Sequence, residues 1–195
     1  TDLLNNRGVM SPIRRKQVHV RGIVQGVGFR PFVYRTAREC RLAGFVRNDG
    51  DGVCMELEGG DGALARFLDL LENQAPPLAR ITAVEVGDLP TAGESGFRIV
   101  FTDQEGAATT LIAPDVSLCP DCRSELLDPD DRRHRYPFIN CTNCGPRFTI
   151  VSAIPYDRPN TSMARFPMCP ECEAEYNDPD DRRFHAQPNA CPVCG

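Results

Sequence analysis

Eight thiols in the second half of the chain are spaced as metal ligands. Cys119 and Cys122 form a Cys-x-x-Cys pair, followed after 18 residues by Cys141 and Cys144; Cys169 and Cys172 are followed, again after 18, by Cys191 and Cys194. One such knuckle folds two sulfurs onto an ion and a second completes a tetrahedron, so the pattern predicts two structural zinc ions that contribute to folding. Four thiolates also suit iron by ligand type. Disulfides and a thioredoxin-type dithiol fit less well, because the pairs read as ligands in a reducing, cytoplasmic compartment and none lies on a βαβ unit. Sequential pairing of the knuckles is expected, although a crossed arrangement, first with third, uses the same eight ligands. His134 and His185, in comparable parts of the two repeats, are expected to be spectators.

A second constellation lies near the start, where Gln25-Gly26-Val27-Gly28-Phe29-Arg30 joins an alternating, β-branched run (Gln17 to Val24) to a helical one. At such a junction backbone N–H groups lack helical partners and the helix dipole favours an anion. Gly26 and Gly28 can take positive φ and present no Cβ, and the Arg30 guanidinium can grip two phosphate oxygens at once. On spacing alone the segment reads equally as a tight strand-to-helix turn with a surface arginine.

Two territories position these groups. From 16 to 102 the pattern is β-α-β-β-α-β, the order of a ferredoxin-like α+β sandwich. Phe29, Val33, Ala37 and Cys40 share one helical face, and Leu64, Phe67, Leu68 and Leu71 share another. Asn48-Asp49-Gly50-Asp51-Gly52 signals a hairpin. Residues 1–15 read as a flexible tail and 103–118 as a linker, with a polar, glycine-containing connector from Asp103 to Ala108. A first finger spans 119–144, a connector 145–168 and a second finger 169–195. The fingers repeat with a period of 50 residues: Asp128-Pro129-Asp130-Asp131-Arg132-Arg133 returns as Asp178-Pro179-Asp180-Asp181-Arg182-Arg183. That run is expected to be a solvated turn whose charges pair locally. His19, alone in the first strand, is assigned no role, and Cys40 and Cys54 are expected in or near the core.

The bulk numbers exclude some classes. A formal charge of -5, and 12 acidic against 9 basic side chains from Cys119 to Gly195, argue against a nucleic-acid partner. No apolar run reaches the roughly 18 residues that cross a bilayer, so no membrane association is expected, and the polar first residues do not resemble a secretory leader.

The segment Val20 to Arg30 resembles the first acylphosphatase signature, and Gly44 to Val53, continued by Glu56 to Gly59, resembles the second. The resemblance implies that the loop of Gln25, Gly26, Val27, Gly28, Phe29 and Arg30 binds a phosphoryl group, that Asn48 orients the attacking water, and that Arg30 and Asn48 are the catalytic pair. Without it, Asn48 reads as a turn residue. An acylphosphatase-like domain leading into doubled four-cysteine modules is similar to the opening of the hydrogenase-maturation carbamoyltransferases of the HypF type; Tyr136 to Asn140, Cys144 to Thr149 and Phe184 to Pro188 match as well. Members of that family continue with a YrdC-like nucleotide-binding domain and a larger carbamoyl-transferring domain, so the end of the chain at Gly195 reads as a truncation. The resemblance implies that the full protein uses carbamoyl phosphate and ATP to carbamoylate a HypE-type partner, supplying the cyanide ligand of [NiFe]-hydrogenase. It implies that this part binds and hydrolyses carbamoyl phosphate or another acyl phosphate. A general acylphosphatase with a zinc-stabilised tail, and a zinc-dependent protein-interaction adaptor, are the alternatives.

Overall fold

A computed structural model describes residues 12–100 and 111–195. The first eleven positions of the expected tail and the connector Asp103 to Ala108 lie outside the described residues. The elements of the first domain are β1 (Ile13–Ile23), α1 (Phe29–Glu39), β2 (Ala43–Asn48), β3 (Gly52–Gly60), α2 (Asp61–Asn73), β4 (Arg80–Leu89) and β5 (Phe97–Ile99). They form one sheet in the order β4-β1-β3-β2-β5, antiparallel throughout except that β5 runs parallel to β2. Its first four strands have the split βαβ order expected of the sandwich. Strand β1 begins at Ile13, inside the segment expected as tail, because Ile13 to Arg15 already pair with Gly60 to Glu58.

Period-two alternation governs β1 and β2, whereas central β3 is buried almost along its whole length. Val18 and Val20 of β1 are fully buried, against Val33 and Ala37 of α1 and Leu64, Phe67 and Leu71 of α2. Each of these valine, leucine and phenylalanine side chains is worth about 1.5–3 kcal/mol when buried. Cys40 and Cys54 are buried as well. His19 points to the opposite face, where its Nε2 lies 3.1 Å from Asp49 and 3.0 Å from Asp51, so it ties β1 to the β2–β3 hairpin.

In the second half, α3 (Pro120–Leu127) and α4 (Pro170–Asn177) each begin with proline directly after a cysteine at the N-cap, where the missing N–H costs nothing. The structure overturns the expectation of locally paired, solvated Asp-Pro-Asp-Asp-Arg-Arg turns. Arg133 and Arg183 are only 2% and 4% exposed, and both cross to the other repeat. Arg133 donates through Nη1 to Glu175 at 2.9 Å and through Nε to the Ala190 carbonyl at 2.9 Å. Arg183 pairs with Glu125 and donates through Nε to the Asn140 carbonyl at 3.2 Å. Residues 133 and 183, 175 and 125, 190 and 140 are each 50 apart, so the two repeats exchange equivalent arms about a local two-fold axis. The turns themselves are made by the aspartates, whose side chains accept from backbone N–H groups two residues on (Asp128 from Asp130, Asp131 from Arg133). That frees the arginines to reach outward. Among the described residues no helix is long and apolar enough to cross a membrane.

Candidate functional site: an anion cradle walled by the fingers

The cysteines cluster sequentially, Cys119, Cys122, Cys141 and Cys144 in one cage and Cys169, Cys172, Cys191 and Cys194 in the other. Sulfur–sulfur separations are 3.6 Å (Cys119–Cys141), 3.9 Å (Cys141–Cys144), 3.7 Å (Cys169–Cys191) and 3.8 Å (Cys191–Cys194). A tetrahedron of Zn–S bonds of about 2.3 Å has edges of about 3.8 Å, so both cages fit a zinc ion. A zinc tetrathiolate carries a formal charge of about -2. The arginines that cross between repeats answer it: Arg182 Nη1 lies 3.4 Å from Cys122 Sγ and 3.3 Å from Cys141 Sγ, and Arg132 Nη2 lies 3.3 Å from Cys172 Sγ. Such N–H contacts fix the sulfurs and moderate their charge. Burial works against the Glu175 carboxylate's ionisation, but the Arg133 and Arg132 guanidiniums outweigh it and hold its pKa down at about 2.

The cradle lies where β1 gives way to α1. Gly26 and Gly28 take φ of 73° and 77°, in the left-handed region open to glycine at little cost. Gly28 is the N-cap residue of α1, so the helix's first N–H groups face the turn. Arg30 and Asn48, 126 and 108 residues distant from Tyr156 in sequence, both donate to its backbone carbonyl, at 3.5 Å and 3.2 Å. Arg30 Nη1 also meets the Asp157 carboxylate at 2.6 Å, with both side chains some 95% buried. Gln25, expected to bind phosphate, puts its side chain to other use. Its amide donates to the Asp49 and Gly52 carbonyls at 2.8 Å and 2.7 Å and accepts from Tyr156 N at 2.8 Å. It thereby latches the cradle to both the hairpin and the finger half.

Tyr156 and Asp157 belong to the stretch expected only as a connector. Three further finger segments close over the cradle: Asn140 to Thr142, Gly145, and His185 to Pro188 line one small cavity with Gly26, Gly28, Arg30 and Asn48. The walls are fastened from outside by Tyr34 of α1, whose ring meets Phe184 edge-on at 5.2 Å. His185, set aside as a spectator, lies outside both four-cysteine groups and lines this cavity. Burial, and then the nearby Arg30 charge, push its pKa down to about 3, so the imidazole is neutral. Sequence reasoning missed Tyr156, Asp157 and Asn140 as site residues. The only signal was indirect: two of the three further segments carrying the family resemblance contain Asn140 and His185.

The fit at Gly26 is close enough to test. A Cβ there would stand 2.7 Å from Pro146 Cβ and 2.9 Å from the Tyr156 ring, in a backbone conformation that L-residues resist. Gly26→Ala is expected to lower unfolding free energy by roughly 2–4 kcal/mol, combining left-handed strain with overpacking. Gly62→Ala, with open space around it, should cost nothing. Urea midpoints of the two variants make the comparison.

A split βαβ sandwich with a glycine cradle, a following arginine and a hairpin asparagine is an acylphosphatase-type domain, and residues 16–99 match the acylphosphatase family model. Residues 118–151 and 168–195 match the HypF finger. By its first domain the chain belongs to the acylphosphatase family; taken as a whole, it is homologous to a stretch of the carbamoyltransferases called HypF. The acylphosphatase of Synechococcus sp. (strain RCC307) is 38% identical over 106 residues, covering 54% of this chain and 90% of that protein. Carbamoyltransferase HypF of Rhizobium leguminosarum bv. viciae is 54% identical over 158 residues, 81% of this chain and 20% of that protein. A crystal structure of full-length HypF in the phosphate- and nucleotide-bound form superimposes with a TM-score of 0.90 at 47% identity, covering 97% of this chain and 25% of that one. The chain thus spans about a fifth of the length of the curated carbamoyltransferases it matches.

Proposed function

We propose that this chain is the acyl-phosphate-handling part of a carbamoyltransferase, and that it binds and hydrolyses carbamoyl phosphate. The observation that carries the reading is that Arg30 and Asn48 face one cavity at the N-terminus of α1, beside a turn with no Cβ at two positions. The phosphoryl dianion sits on the backbone N–H groups of the cradle and on the guanidinium. Arg30 carries five N–H groups, so holding Asp157 does not exhaust it. Asn48, its rotation fixed by the Tyr156 carbonyl, positions a water in line with the P–O bond to the acyl group. Water's oxygen bonds to phosphorus, the bond to the acyl oxygen breaks, and carbamate leaves as a good leaving group. A phosphoryl oxygen takes the water's proton. Positioning and charge stabilisation then suffice, with no strong base.

In the whole protein this step serves ATP-dependent carbamoylation of a HypE-type partner on the way to the cyanide ligand of [NiFe]-hydrogenase, in the reducing cytoplasm that free thiolate cages suit. The two zinc ions are structural: four sulfurs around each ion leave no open coordination position. The zinc-loaded chain is expected to release inorganic phosphate from carbamoyl phosphate, and Arg30→Ala to raise KM at least tenfold. No phosphate release above the buffer rate, from chain carrying both zincs, overturns the proposal.

A further inference from the structure

The cavity has two chemically different sides. One is the cradle. The other is made entirely of finger residues, and most of its polar groups are already committed. Thr142 Oγ1 donates to the Arg182 carbonyl at 3.0 Å. The Gln187 amide accepts from Arg158 N at 2.6 Å and donates to the His185 carbonyl at 2.6 Å. Two atoms on that wall are not committed: among the described residues, Asn140 Oδ1 and His185 Nδ1 are buried and have no hydrogen-bond partner. Asn140 is 97% buried, and its Nδ2 contact to the Gly145 carbonyl, 3.4 Å, is long. An unmet buried acceptor is rare in a folded protein, because it loses water's hydrogen bonds and gains nothing in return.

We propose that Asn140 and His185 form the acyl-end wall of the site and select the carbamoyl group over other acyl groups by binding its amide. This rests on the hydrolase reading above and names the residues that set the preference of that site. With the phosphoryl end on Arg30, the acyl end must point away from the cradle toward the finger wall. The cavity is about 20 Å³, room for roughly one water, so the walls stand close and a substrate of a few heavy atoms touches both once they part to admit it. A carbamoyl NH2 donates to Asn140 Oδ1, and the neutral imidazole can accept from its second hydrogen. The methyl of an acetyl group offers neither, and leaves both atoms unmet.

The local two-fold axis sharpens the assignment. His185 and its counterpart Arg135 both sit in left-handed backbone, with φ of 53° and 58°, and both N–H groups bond back to the preceding helix, at 3.0 Å to Tyr176 and 2.9 Å to Leu126. The turn is therefore a property of the finger. The imidazole at the end that faces the cradle is not.

The test compares kcat/KM for carbamoyl phosphate and acetyl phosphate on the zinc-loaded chain. Wild type is expected to favour carbamoyl phosphate, and Asn140→Ala and His185→Phe each to lower the carbamoyl-to-acetyl ratio by about tenfold or more, the scale set by a hydrogen bond left unmade. Asn48→Ala should depress both substrates together, leaving the ratio alone. If wild type cleaves neither substrate, the hydrolase reading fails; if it cleaves both and the ratio in Asn140→Ala and His185→Phe stays within twofold of wild type, only the selectivity proposal fails. Zinc content of two per chain checks folding, and should Asn140→Ala lose metal, His185→Phe reads the same ratio from the other segment.

Discussion

Asn48→Ala is expected to cut kcat for acyl phosphate hydrolysis by about 10²–10³, with inorganic phosphate binding changed only a few-fold, since one positioned hydrogen-bonding group at a reacting centre is worth about that much. Asn48 ends β2, pairs with Val53 of β3 and is fully buried. Its backbone is thus held by the sheet and its side chain by the Tyr156 carbonyl. Alanine keeps the first and loses the second. The structural share from the hydrogen bond to Tyr156 is about 1 kcal/mol and shows in a urea midpoint. The catalytic share shows in kcat with KM nearly constant, the mark of an interaction made in the transition state. Unchanged turnover would reject Asn48 as the water-orienting residue.

Arg133→Ala is expected to destabilise the finger half by about 3–5 kcal/mol, the range found when one partner of a buried ion pair is removed. The guanidinium spans the Ala190 carbonyl, the Glu175 carboxylate and, at 3.1 Å, Asn189 Oδ1, while lying 3.4 Å from Cys172 Sγ. Its loss leaves Glu175 half-paired beside an anionic cage, so zinc affinity should fall about 10–100-fold. Arg132→Ala provides the contrast: it meets the same carboxylate and sulfur, but its side chain is 34% exposed, and surface pairs contribute about 0–1 kcal/mol. Competition with a metal chelator separates the two variants, and equal zinc loss from both would contradict the burial argument.

Some of this is legible in the sequence. The Cys-x-x-Cys spacings specify cages because ligand geometry is local, and the βαββαβ order follows from periodicities of two and 3.6. The cradle from Gly26 to Arg30 and the hairpin at Asn48 announce themselves by glycine and turn chemistry. Tyr156 and Asp157 do not, since what they contribute is a carbonyl and a carboxylate delivered more than a hundred residues away, and no spacing rule encodes that distance. The arginine pairs were misread for a related reason. A charged run beside proline and aspartate has the composition of a wet turn, and only the packing of one repeat against the other reveals that Arg133 and Arg183 are interior. The Gln25 amide is taken up by the Asp49 and Gly52 carbonyls and by Tyr156 N, a latch across distant segments that no local pattern announces.

The exchanged arginines also decide what counts as a unit here. Each cage is completed by a guanidinium from the far copy of the repeat, so neither copy has a full set of its own contacts. Fifty residues of this sequence would therefore make a poor stand-alone bead, whatever the metal supply. The doubling is better understood as a single knot with two metal eyes, indivisible in folding. Partial metallation should be a scarce species rather than a halfway house.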